Sequence, residues 1–224
     1  MNPRERFVKT LKFAHPDRIY YSFGPPRKST LEAWKLQGLP EMPEADDYNC
    51  PDEFYEFVGI DPNPWQLSQE QSFQVELGIY PPFEVAIIKE DESGLTWRDE
   101  KGIDGTFPCE IAADNDPLAY RRKYGKDLAL WGCLDKREIR SKEMTYLEVM
   151  SKVPQLVEQG GFLPAVDHAV PPDVPLRSYL YMAELIKAIA EKRRIPQPDD
   201  PLPIEKQLGP IQRFWGPDLL ERVE

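Results

Sequence analysis

Two short apolar runs constrain this chain most: residues 128–134, LALWGCL, and residues 162–166, FLPAV. Neither alternates polar and apolar residues, as a strand with one solvated face would. Both have strand length and are too short for a buried helix. A helical stretch, 145–158, separates them, and a longer one, 176–194, follows the second. Strand, helix, strand, helix with wholly apolar strands predicts an α/β fold with a parallel sheet covered on both faces.

The remaining segments are set out by their punctuation. Proline is 24 of 224 residues, roughly twice the average usage, and most prolines lie between periodic segments. A first helix is predicted over 3–13, with Asn2 as its cap, Pro3 at its first position and Phe7, Val8 and Leu11 on one face. Pro16 stops it. Residues 19–23 read as a strand ended by Gly24-Pro25-Pro26. Helices follow over 29–37 and 52–58, stopped by Gly38 and Gly59, with a loop over 40–51 between them. From 72 to 106 the residues alternate: Phe73, Val75 and Leu77, then Val85 and Ile87, then Leu95 and Trp97. That pattern predicts an antiparallel meander. Asp116-Pro117 opens a helix to Tyr124, closed by Gly125. Pro154 should kink or restart the helix over 145–158, and a Pro-rich tail begins at Pro196. The chain divides into 1–106, 107–195 and 196–224.

Charge and cysteine usage exclude several functions. Lys and Arg number 28 against 39 Asp and Glu, so 28 − 39 = −11. A nucleic-acid partner is disfavoured, because that affinity comes largely from cations on phosphates. No apolar run reaches the ~18 residues of a membrane span, and the first residues lack a signal peptide's apolar stretch. Cys50, Cys109 and Cys133 form neither a disulfide framework nor a CxxC zinc pattern. A reducing, cytoplasmic setting is expected. No GxxxxGK[ST] or GxGxxG phosphate loop is present.

Several pieces, in order, resemble the uroporphyrinogen decarboxylase superfamily. They are PRERFVKTLKFAHPDR (3–18), FPCEIAADNDPLAYRRKYGKDLALWGCLDKREI (107–139), the pair Gly160-Gly161, and DHAVPPDVP (167–175). The resemblance is closest to the uncharacterised, decarboxylase-like branch. It implies a (β/α)8 barrel and decarboxylation of a tetrapyrrole-type small molecule. An alternative within the superfamily is a methyltransferase in which zinc activates a thiol and a corrinoid protein supplies the methyl group. A full barrel needs eight strands and typically ~250 residues. Here the meander passes directly into the late-barrel motif, so the expected fold is an incomplete (β/α)8 barrel with an antiparallel excursion. A third reading is a non-catalytic homodimer in which two half barrels cover each other's edges.

The resemblance also names site residues. Family arginines after the first strand bind substrate carboxylates. Gly24 stands at one of those positions, and Arg27 or Lys28 could serve as the other. The family's aspartate after the second strand has no match, because Asp61-Pro62-Asn63-Pro64 differs from it. His168 matches the C-terminal histidine and occupies the last zinc ligand's place, while the family's H-x-C pair is absent. Glu110 and Asp135 sit at predicted strand ends, where barrel enzymes place their chemistry. Each has a plainer reading beside it. His168 could be a turn histidine, Asp135 a cap for residues 136–138, Glu110 a solvated strand end and Arg27 an exposed loop cation. Arg121-Arg122-Lys123 reads as a solvated helix face. Trp65, Trp97, Trp131 and Trp215 read as core or interface, and Cys109 as a small buried apolar group.

Overall fold

The computed structural model describes residues 1–44, 50–62, 86–91, 94–98, 104–107 and 111–212. The fold is mixed α/β. Among the described residues there are six α-helices: α1 (Pro3–Leu11), α2 (Lys28–Lys35), α3 (Asp52–Val58), α4 (Pro117–Tyr124), α5 (Lys142–Gln159) and α6 (Leu176–Ala190). The strands are β1 (Ala86–Asp91), β2 (Gly94–Arg98), β3 (Asp104–Phe107), β4 (Leu130–Leu134) and β5 (Phe162–Val166). The first three form an antiparallel sheet in sequential order, with an irregularity between Ile87 and Lys89. The expected strand over 73–77 lies outside the described residues.

β4 and β5 pair in parallel, Leu130 opposite Phe162 through Leu134 opposite Val166. The two apolar runs thus become neighbouring strands joined by α5. The sequence predicts a strand over 19–23; the chain there is extended but makes no continuous ladder. It bonds β5 through Val166 N–H to Phe23 O at 3.3 Å, and just beyond both segments Val170 N–H reaches Pro25 O at 3.0 Å. Leu130 N–H bonds Gly161 O and Asp167 N–H bonds Leu134 O, so the odd residues of β5 face β4. Its even residues face 19–23, and Pro164 among them has no N–H to offer. The ladder therefore breaks at that point.

Helix starts and stops follow the residues. Asn2 and Glu5 form a capping box on α1, Asp116 caps α4, and Ser141 caps α5. α5 continues through Pro154 with no interruption, so the expected restart does not occur. Proline removes one backbone donor, while Thr145, Val149, Val153 and Leu156 form a continuous buried stripe on either side of it. That packing outweighs the missing bond.

The main core lies between the parallel segments and α2, α3, α5 and α6. Trp34 is fully buried, stacks on Phe54 with ring centres 6.0 Å apart, and meets Tyr179 at 4.9 Å. Its indole N–H donates to Val174 O at 2.7 Å. On the other face, Phe7 of α1 packs edge-on against Tyr20 and Trp131, beside Leu163.

Arg121 corrects the expectation of a solvated cationic face. It is buried, and its guanidinium donates to the carbonyls of Gly125, Leu128, Gly160 and Gly161. It also lies 4.8 Å above the Phe13 ring. Burial lowers its pKa. Gly161 has φ +62°, and a Cβ there would lie 2.1 Å from the Phe13 ring. The glycine pair therefore admits both Phe13 and Arg121 to the start of β5. The Pro-rich residues after 196 do not trail away, at least as far as 212. Leu202 is buried, Tyr181 bonds Pro196 O, and Gly209 and Gln212 N–H groups reach Gly38 O and Leu36 O.

An ion cluster ties α1 to the start of the 19–23 segment. Arg6 bonds Asp17 and Asp61, and Arg18 also bonds Asp61. The Arg6 hydrogen bond holds the Asp17 carboxyl well below the usual carboxylate range.

Two outcomes follow from this packing. Trp34→Ala should lower unfolding free energy by about 3–5 kcal/mol, the scale of a buried aromatic deletion, as read by urea denaturation. Because the Asp17 pKa is depressed on folding, its contribution is complete above the unfolded value near ~3.9 and is lost as pH falls through the folded value. Asp17→Asn should therefore flatten the acid side of the stability–pH curve below about pH 4, and a curve identical to wild type would contradict this.

Candidate functional site

The parallel segments run the same way, so the loops after residue 23, after β4 and after β5 emerge at one edge of the sheet. The structure brings most of the sequence-predicted site residues to that edge and gives them different surroundings.

The loop 24–27 is joined directly to the turn after β5. Arg27 N–H and the Thr30 hydroxyl both donate to Val170 O, at 3.2 and 2.6 Å. Tyr179 OH donates to Gly24 O at 3.2 Å. Gly24 has φ +95°, and a Cβ there would lie 2.4 Å from Val166 Cγ2. No side chain fits that position, which accounts for glycine where the family resemblance expects arginine. The Arg27 Nε–H is buried and meets no acceptor among the described residues. Its neighbour Lys28 is exposed and opens α2.

His168 is half-buried in this turn. Ala169 N–H donates to its Nδ1 at 2.8 Å. The neutral imidazole therefore carries its proton on Nε2, which makes Nε2 the donor.

Asp135 is buried and committed to structure. Its carboxylate accepts from Arg137 N–H and is held by the Arg137 guanidinium at 2.6–3.1 Å. The Arg137 hydrogen bond lowers its pKa. It caps the turn 136–138, the plainer of its two sequence readings. Glu110, Cys109, Trp65 and Trp215 lie outside the described residues, as does the side chain of Trp97.

Asp167, the first residue of the stretch 167–175, carries no role in the sequence reading. Its side chain is wholly buried. It accepts from Ile111 N–H at 3.0 Å, Lys136 N–H at 3.3 Å and Lys136 Nζ at 3.4 Å. One carboxylate thus fastens residues 111–113, the loop after β4 and the turn carrying His168. The available signal was a lone acid ending an apolar strand, FLPAVD, because a buried strand that ends on a charge must find donors for it.

Cys133 adjoins Asp135 and is fully buried, with φ +72° directly after Gly132 at +92°. Its thiol points to Trp131 O. The donor set does not fit a zinc ion. His168 Nδ1 is occupied, Asp167 already accepts three hydrogen bonds, and no group of three or more His, Cys, Asp or Glu converges among the described residues. Burial in the core pushes the Cys50 thiol up to about 12.

A cleft of about 230 Å³ lies elsewhere, between α3, α6 and residues 202–207. Lys187 lines it and donates to Val58 O, so the lysine closes the C-terminal end of α3. No family model, curated protein or solved structure matches the chain. Among the described residues no helix is long and apolar enough to cross a membrane.

Asp167→Asn would turn an amide N–H₂ toward groups that are themselves donors. It should cost about 2–4 kcal/mol of stability and speed hydrogen exchange at the Ile111 amide. Unchanged Ile111 exchange would contradict the fastening role.

Proposed function

We propose that this chain is a uroporphyrinogen-decarboxylase-like protein that binds a carboxylate-bearing small molecule at the loop edge of its parallel segments. The observation that carries the reading is the buried Arg27 Nε–H, which meets no acceptor among the described residues, in a loop bonded directly to the His168 turn. A buried donor without a partner is costly, and a ligand carboxylate supplies two acceptor oxygens in the geometry a guanidinium prefers.

The order of the parallel segments supports the incomplete-barrel reading. β4 neighbours β5, and β5 neighbours 19–26. In a closed barrel the first strand likewise neighbours the last.

The chemistry that fits is cofactor-free decarboxylation. Arg27 holds one ligand carboxylate. A second carboxylate leaves as CO₂, its bonding electrons stay on carbon, and a water held by His168 Nε2–H gives that carbon a proton and departs as hydroxide. Asp167 acts at a remove, by holding the turn and Lys136 in place. The zinc-dependent methyltransferase reading gains no support from the donor set.

Fluorescence titration with a tetracarboxylate porphyrin tests the proposal. Saturable binding is expected. Arg27→Gln should weaken it about 10- to 100-fold, the scale of a charge-assisted hydrogen bond. His168→Asn should retain binding and abolish CO₂ release from the corresponding porphyrinogen. Absence of binding, or equal binding by Arg27→Gln, would sink the reading.

A further inference from the structure

A strand directs its backbone polar groups alternately to its two edges. In β4, Leu130 N–H and Leu134 O turn toward β5, bonding Gly161 O at 2.9 Å and Asp167 N–H at 2.7 Å. Cys133 and Asp135 therefore present theirs on the opposite edge. There, Asp135 N–H donates to Glu148 Oε1 at 2.7 Å, and Lys152 Nζ donates to Cys133 O at 3.3 Å. Glu148 and Lys152 lie one helical turn apart on α5 and are ion-paired with each other. Their side chains retain only 10% and 14% exposure.

Most i,i+4 ion pairs lie in solvent and contribute a few tenths of a kcal/mol. This pair is withdrawn from solvent, and each member is bonded to strand backbone. It presents one donor to Cys133 of β4 and one acceptor to Asp135, the residue just after the strand, the kind of partners that a neighbouring strand would supply.

We infer that the Glu148–Lys152 pair guards the outer edge of β4, filling the hydrogen-bonding positions at Cys133 O and Asp135 N–H and so preventing a second copy of this chain from extending the sheet there. Strand edges with such groups open are templates for pairing between chains. The inference stands apart from any ligand at the loop edge. It also bears on the expectation of a half-barrel dimer, because the guard closes that route on the β4 side.

Site-resolved hydrogen exchange and sedimentation equilibrium on the full chain test it. In wild type the Asp135 amide should be protected, as should the Leu130 amide, which bonds Gly161 O. Glu148→Leu removes the acceptor and should speed Asp135 exchange at least ten-fold, leaving Leu130 unchanged. Glu148→Gln keeps a carbonyl acceptor and should retain the protection. Glu148→Leu combined with Lys152→Met should shift the chain toward dimers as concentration rises. An unprotected Asp135 amide in wild type, equal protection in Glu148→Leu, or a double variant with wild-type association would each overturn the inference. Should the double variant not fold, the wild-type amide and Glu148→Gln decide the matter.

Discussion

The structure depends on a short run of backbone hydrogen bonds between residues 23–27 and 166–170. Val166 and Val170 N–H groups reach back to Phe23 O and Pro25 O, and Arg27 N–H reaches forward to Val170 O. These bonds join segments some 140 residues apart in sequence and set them parallel. Once they form, α2 and α6 must lie on the same side, which brings Trp34 against Tyr179. They also place the loop with Arg27 beside the turn with His168. Core and candidate site thus share one origin.

Buried charges recur in this chain, and each is handled differently. Among the described residues Arg121 meets no carboxylate and instead collects four carbonyl oxygens. Asp167 is the reverse case, an anion held by two backbone N–H groups and one lysine. Asp61 lies between two arginines. In each case the charge ties together segments distant in sequence. A buried ion is costly unless hydrogen bonds or opposite charges compensate it, so these ions fix the geometry of the segments they join. Arg27 and Arg121 each keep one buried Nε–H that meets no acceptor among the described residues.

Much of the local structure was legible in the residues. Phe162–Val166 and Asp52–Val58 occur where periodicity placed them, and Pro117–Tyr124 lies between its proline and its glycine. The errors share a cause: partners distant in sequence. Whether 19–23 completes a ladder depends on Pro164, far along the chain. Whether Pro154 breaks α5 depends on what Val149, Val153 and Leu156 pack against. Arg121 reads as one of three like cations, and only the approach of Gly160 and Gly161 separates it from Arg122 and Lys123.

By itself, the sequence determined the α/β class, the caps of α1 and α4, the apolar strands and the residues capable of chemistry. Those properties arise from spacing and side-chain type within about a dozen neighbours. Only the tertiary structure decided what each charged group does. Asp135 became a cap, Asp167 a fastener between loops, Arg27 a donor with no acceptor among the described residues, and Glu148 with Lys152 a cover for a strand edge. The physical reason is that a polar side chain's role follows from the donors and acceptors that packing brings within about 3 Å of it. Those partners come from segments that no local pattern connects.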